Sequence, residues 1–292
     1  MATNKLFVPD DVSAPYSRQD NNVRLLQYTN SSTTENFDAF LTHHALIYIL
    51  SGTKQIKVSQ KAFNINPGEL ILIPRGEYIM SEYITGEQNF QSIMLFFNQK
   101  VAKYVVDELK GRIESDYKEV LKKEAIKIIP KSQNINELYR SLIAYSKNNS
   151  PFIPEIISLK FMELIYLLLD TPYQNIIMSF LLDATCYETP SITTILEQHL
   201  YSPLTIEKLA KLSGRSLSNF KREFAKKYKG TPKKWIRTKK LERAAFLLKT
   251  SNKTIEEISD DCGFVNSTHF SRLFKKHYSV TPTEFRAKQT DN

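Results

Sequence analysis

The sequence predicts an α+β chain of two domains, the first rich in strands and the second all helical. Three observations carry that expectation. Short β-prone runs separated by glycine and proline turns fill residues 45–97, apolar spacing turns helical from Gln99, and two stretches near the C-terminus repeat each other. At 292 residues there is room for two hydrophobic cores.

The strand runs are Ala45-Leu-Ile-Tyr-Ile-Leu-Ser51, Gln55-Ile-Lys-Val58, Phe63-Asn-Ile65, Leu70-Ile-Leu-Ile73 and the stretch from Phe90 to Phe97. Ser51-Gly52, Asn66-Pro67-Gly68 and Pro74-Arg75-Gly76 punctuate them as turns. Such a pattern fits a small antiparallel barrel or a double sheet such as a jelly roll. The residues ahead of it, Asp10-Asp11 through Asn22, read as a loose tail, and the polar N-terminus has no apolar stretch of the signal-peptide kind.

From Gln99 to about Leu182 the pattern is helical. Its most apolar helix, Pro151 to Leu169, is interrupted by Glu155, Lys160 and Glu163, and its uninterrupted run from Leu164 falls far short of the roughly 20 residues a membrane span needs. It reads as interdomain core or as a dimer seam. The polar, proline-marked stretch Tyr187-Glu-Thr-Pro-Ser191 is the expected linker, which divides the chain into domains 1–185 and 190–292.

The repeats begin Thr205-Ile-Glu-Lys-Leu-Ala-Lys-Leu-Ser-Gly214 and Thr254-Ile-Glu-Glu-Ile-Ser-Asp-Asp-Cys-Gly263. Ile206 and Ile255 are 49 residues apart, whereas Phe224 and Phe274, Tyr228 and Tyr278, and Pro232 and Pro282 are each 50 apart. One residue was therefore gained inside the turn while the helical register on each side was kept. Two copies are too few to stack as a solenoid, and two helix-turn-helix units explain more of the letters. In each, apolar residues three apart (Ile206, Leu209; Ile255, Ile258) mark a first helix, and a glycine ends it (Gly214, Gly263). Hydroxyl residues suited to N-capping follow (Ser216, Ser218; Ser267, Thr268). The second helix buries Phe220, Phe224 and Tyr228, or Phe270, Phe274 and Tyr278, and stops before a Thr-Pro. Lys233 to Lys249 contains no helix breaker and reads as a connecting helix on the order of 20 Å long. That length suits two recognition helices in successive major grooves.

Subtracting the buried stripes leaves two outward faces: Ser218, Lys221, Arg222 and Lys226 in the first copy, and Ser267, Thr268, Ser271, Arg272 and Lys275 in the second. Arginine pairs bidentately with guanine, and serine or threonine hydroxyls read either base type. The lysines, Lys239 of the connecting helix among them, suit phosphate contacts. Charge supports this independently. From residue 191 onward 21 Lys and Arg face 10 Asp and Glu, a net +11, while residues 1–190 carry 19 against 21, a net −2. A basic segment beside a nearly neutral one is the footprint of a phosphate-binding module. A membrane-surface helix would expose its apolar face, whereas here the aromatics sit where the repeat needs a core.

The segment from about 191 to 287 resembles the DNA-binding domain of the AraC/XylS transcription regulators. The resemblance rests on Gly263-Phe264, Phe270-Ser-Arg-Leu-Phe-Lys-Lys276 and Pro282-Thr-Glu-Phe-Arg286. It implies base contacts from the first turns of both recognition helices, at Ser218, Lys221, Arg222, Ser267, Thr268, Ser271 and Arg272, and recruitment of RNA polymerase. The first recognition helix departs from the commoner pattern at Lys221 and Glu223, on either side of Arg222. Ile47-Tyr-Ile-Leu-Ser-Gly52 followed by Pro67-Gly-Glu-Leu-Ile-Leu-Ile-Pro74 resembles the cupin-like sensory domain of the same family, and is similar to the ExsA-like branch, where that domain answers to a protein partner. The expected fold is thus an N-terminal cupin-like antiparallel β-barrel with following helices, then an all-α domain of two helix-turn-helix units and a linker helix.

Catalytic cupins hold metal with two or three histidines and a carboxylate. Only His43 and His44 fall in the candidate barrel, and adjacent strand residues point to opposite faces, so no metal, cofactor or catalytic residue is expected. Cys186 and Cys262 are too few for a disulfide framework, which suits a reduced, cytoplasmic protein. Three readings follow. The first is a sequence-specific, effector-responsive regulator on double-stranded DNA, homodimeric if its half-sites are paired. The others are a non-specific architectural DNA binder and, less well supported, a cupin enzyme fused to DNA-binding repeats.

Overall fold

The computed structural model describes residues 5–12, 16–19, 23–112, 126–146, 150–186 and 189–290. The chain divides into two compact units between residues 188 and 189. Of the expected linker, Tyr187 and Glu188 lie outside the described residues.

The first unit is built on two sheets. One runs β1 (Leu6–Val8), β4 (Thr34–Leu41), β9 (Gly76–Tyr83), β6 (Thr53–Val58), β7 (Lys61–Ile65). The other runs β11 (Lys127–Ile129), β8 (Leu70–Ile73), β5 (His44–Ser51), β10 (Phe90–Phe97), β3 (Val23–Asn30), β2 (Tyr16–Gln19). All pairings are antiparallel except β1 with β4, which is parallel. The double sheet is present, but the expected barrel is not closed.

The reason lies in the side-chain alternation. Ala45, Ile47, Ile49, Ile71, Ile73, Met94 and Phe96 share one core with Ile56, Tyr78 and Met80 of the facing sheet. Leu46, Tyr48, Leu70, Leu72, Leu95 and Phe97, one residue out of step, share another with four helices. These are α1 (Gln99–Leu109), α2 (Gln133–Ser146), α3 (Ile153–Leu169) and α4 (Gln174–Thr185). Strands apolar on both faces need cover on both faces, and an open sheet between a second sheet and a helical layer supplies it.

The expected loose tail is only partly so. Residues 6–8 and 16–19 form strands, and Arg24 pairs with Asp10 at 3.1 Å; residues 13–15 and 20–22 lie outside the described residues. The sheets also bury an ion pair that the sequence reading missed. Lys54 Nζ lies 2.6 Å from Glu82 Oε1, both side chains 3% exposed or less, and the Tyr28 hydroxyl and Asn30 amide donate to the other carboxylate oxygen.

The second unit is all helical: α5 (Ile192–His199), α6 (Ile206–Leu212), α7 (Leu217–Tyr228), α8 (Pro232–Thr250), α9 (Ile255–Asp261), α10 (Ser267–Tyr278) and α11 (Pro282–Thr290). The connecting helix α8 has 19 residues, so it spans about 28 Å, longer than the sequence suggested. The repeat extends to the packing. Phe224 and Tyr228 close on Trp235 of α8 at 5.7 and 4.7 Å between ring centroids, and fifty residues on Phe274 and Tyr278 close on Phe285 of α11, both at 5.4 Å. The start of α8 thus does for the first repeat what α11 does for the second.

Candidate nucleic-acid interface

Each recognition helix starts at a capped, exposed end. Ser216 Oγ accepts from the Asn219 amide at the start of α7, as expected. In the second copy the cap is Asn266, whose Oδ1 accepts from the His269 amide, and Ser267 is the first helical residue instead. Asparagine and serine cap about equally well, so composition alone does not choose between neighbours. Both preceding glycines take positive φ, +69° at Gly214 and at Gly263, as the turn requires.

The extra residue in the second turn is identified by hydrogen bonding. The Arg215 amide donates to Ala210 O and the Phe264 amide to Ser259 O, which makes Arg215 and Phe264 equivalent. The caps, at 216 and 266, are one residue further out of step, so the residue gained is Val265.

Of the residues expected to meet DNA, Ser218, Lys221, Arg222 and Lys226 are exposed on α7, and Thr268, Arg272 and Lys275 on α10; Ser267 and Ser271 are half-buried. Arg222 Nη2 donates to Asn219 Oδ1 at 2.8 Å, which holds the guanidinium along the first turn of α7. Glu223, whose place beside Arg222 departs from the family pattern, has its carboxylate 2.8 Å from Arg215 Nε. That hydrogen bond holds it below the usual carboxylate range. Arg215 also donates to the carbonyls of Pro190 and Ser213, so this pair fixes the first turn.

The lysines of α8 divide. Lys239 is 2.7 Å from Glu242, so a phosphate competes there with an existing partner. Lys240, read from sequence as phosphate-facing or solvated, is buried: it donates to the carbonyls of Ser202 and Gly263, at 2.9 and 2.8 Å. Lys233 and Arg237 were not singled out, although three to four residues separate them on one helix side. With Thr268, His269 and Arg272 of α10 they line a groove of about 1130 Å³ between the two helix-turn-helix units.

In the first unit, His43 and His44 have different partners. The His44 ring lies 5.7 and 6.0 Å from the rings of Phe97 and Phe180 and accepts from the Arg75 amide, and His43 contacts Thr42 Oγ1. Among the described residues no three His, Cys, Asp or Glu come together as a metal-ion cluster, and no helix is long and apolar enough to cross a membrane.

Two helix-turn-helix units with capped cationic helices, in a segment of net charge +11, define a DNA-binding unit of the double helix-turn-helix class. Residues 209–288 match a family described as a helix-turn-helix domain, and residues 44–180 match the ExsA N-terminal regulatory domain. The regulatory protein SoxS of Salmonella typhimurium is 34% identical over 91 residues, covering 31% of this chain and 85% of that protein. The HTH-type transcriptional regulator ExsA of Pseudomonas aeruginosa is 22% identical over 241 residues, 82% of this chain and 84% of ExsA. An uncharacterized HTH-type transcriptional regulator of Haemophilus influenzae is 32% identical over 126 residues, and the chain spans 42% of its length. The chain belongs to the AraC/XylS family of DNA-binding transcription regulators, and these relatives are regulators rather than enzymes.

Proposed function

We propose that the chain is a cytoplasmic, sequence-specific regulator that sets α7 and α10 into successive major grooves of one duplex. Arg222 and Arg272 are its principal base readers, with Ser218, Lys221, Ser267, Thr268 and Ser271 beside them. Lys226 and Lys275 are its phosphate contacts, and Lys239 contributes only where Glu242 releases it. The observation that carries this reading is the repeated arrangement of cationic and hydroxyl residues on two capped helices joined by the single helix α8. Arg272→Ala is expected to cost about 1–3 kcal/mol on the specific site and to relax one base step, whereas Lys275→Ala weakens specific and random duplex alike. Equal losses on both duplexes for Arg272→Ala would overturn the assignment.

Recruitment of RNA polymerase, and so activation, is what family membership implies. The N-terminal unit is assigned the effector, which must bind the DNA-competent and incompetent arrangements unequally. A cleft of about 250 Å³ between α1, α3 and β3, lined by Lys100, Tyr104 and Phe161, is smaller than ordinary small-molecule sites. Its size favours an inserted side chain of a protein partner over a free ligand.

A second copy of the chain is the occupant we assign to the outer face of α3. Phe152, Leu159 and Tyr166, exposed by 68, 70 and 42%, recur every seven residues. That spacing keeps a stripe facing a partner helix along its length.

A further inference from the structure

Val265 is the residue gained in the turn of the second repeat, and it is 88% exposed. Two ordinary roles for an apolar residue at this place in the turn are already filled. The residue before an N-cap often packs on the fourth helical residue as a hydrophobic staple. That residue is Phe270, which is fully buried and meets Phe264 at 5.0 Å between ring centroids, so the staple's place is already taken. Core filling fails too, because Phe264 is the turn's contribution to the second repeat's core. Val265 could be deleted from the turn without opening a cavity, as the shorter first turn illustrates.

What Val265 does adjoin is the groove between the two helix-turn-helix motifs of the second unit. It lines that groove together with Thr268 and Arg272 of α10 and Lys233 and Arg237 of α8. Lys233, Arg237 and Arg272 outnumber Glu207 along its walls, and that cationic excess suits a nucleic-acid duplex. Val265 also sits immediately before the cap of the helix whose first turn meets the base edges. Among base edges in the major groove, the feature that suits an aliphatic side chain is the thymine 5-methyl group.

We propose that Val265 is a base-reading residue, packing its side chain on a thymine methyl at the edge of the element read by α10. The inference rests on the reading that α10 enters a major groove. It assigns to the second repeat an apolar contact that the first repeat, whose turn has no residue equivalent to Val265, lacks.

The test uses the full-length chain on the duplex it selects from a random pool, replacing each thymine in turn by deoxyuridine, for the wild type, Val265→Ala and Arg272→Ala. One thymine in the α10 element is expected to lose about three- to fivefold in affinity with its methyl group in the wild type, and at most a small part of that in Val265→Ala. Arg272→Ala is expected to keep the methyl dependence. A selected element without such a thymine, or methyl losses equal in wild type and Val265→Ala, would overturn the proposal while leaving the Arg272 effect intact. If Arg272→Ala also lowers specific and random binding alike, the docking of α10 itself is wrong. Because Val265 is exposed, equal Tm values for wild type and Val265→Ala are expected and check that folding is unchanged.

Discussion

The Lys240 ammonium donates to the Gly263 carbonyl at 2.8 Å, and through its second bond to Ser202 it ties the connecting helix both to the loop after α5 and to the turn between α9 and α10. Gly263 is held on the other side as well: at its φ of +69° a Cβ would lie 2.2 Å from the Tyr201 carbonyl oxygen. Gly263→Ala is therefore expected to cost on the order of 3 kcal/mol, from the left-handed backbone and the clash together, measured by denaturant unfolding. Burial pushes the Lys240 amine down to about 8 from its usual 10.5. Between those values the unfolded chain binds a proton that the folded chain does not, so stability rises with pH across the window and the cost of the buried charge is full below it. The wild type is expected to gain about 3 kcal/mol relative to Lys240→Met between pH 7.5 and 10.5. Parallel pH profiles for the two proteins would contradict the burial of this charge.

His44 gives the first unit a dependence of the same sign in a more acidic window. Burial between Phe97 and Phe180, with Arg75 and His43 adding like charge, lowers it to about 4 from 6.5. The folded unit prefers the neutral ring, so its stability is full above pH 6.5 and falls as pH drops toward 4. About 3 kcal/mol is lost across that window. In His44→Gln the unfolding midpoint is expected to change less between pH 7 and pH 4.5 than in the wild type, and an unchanged slope would remove His44 from the account.

The seven-residue stripe on α3 predicts self-association. Leu159, at its centre, is 70% exposed, so Leu159→Glu leaves the core intact and places a charge in the seam. Sedimentation is expected to show a dimer for the wild type and a monomer for the variant. A wild type that stays monomeric at tens of micromolar would contradict the assignment.

The second unit was nearly all legible in the sequence because its repeat states the same physics twice. Phe224 and Phe274, Tyr228 and Tyr278, and the two glycines each occupy the place their spacing implied. The position of the gained residue was not readable, since only the Arg215 and Phe264 hydrogen bonds distinguish Val265 from its neighbours. Lys240 was misread because a lysine beside Lys239 on a helix looks solvated until its carbonyl partners, 23 and 38 residues away in sequence, are known. In the first unit the strands were readable one by one, but their pairing and the missing closure were not. The Lys54–Glu82 pair left a usable sign: Lys54 alternates with Ile56, and Glu82 with Met80 and Tyr78, on the inward face of their strands.

The central claim is that both helix-turn-helix units read one duplex at once. Selection of sites by the full-length chain from a randomised duplex pool, at near-physiological salt with excess non-specific competitor, tests it most directly. The account predicts a motif of two elements about one helical turn apart. A single element, or a pool that stays random both for the full chain and for residues 185–292 alone, would contradict it.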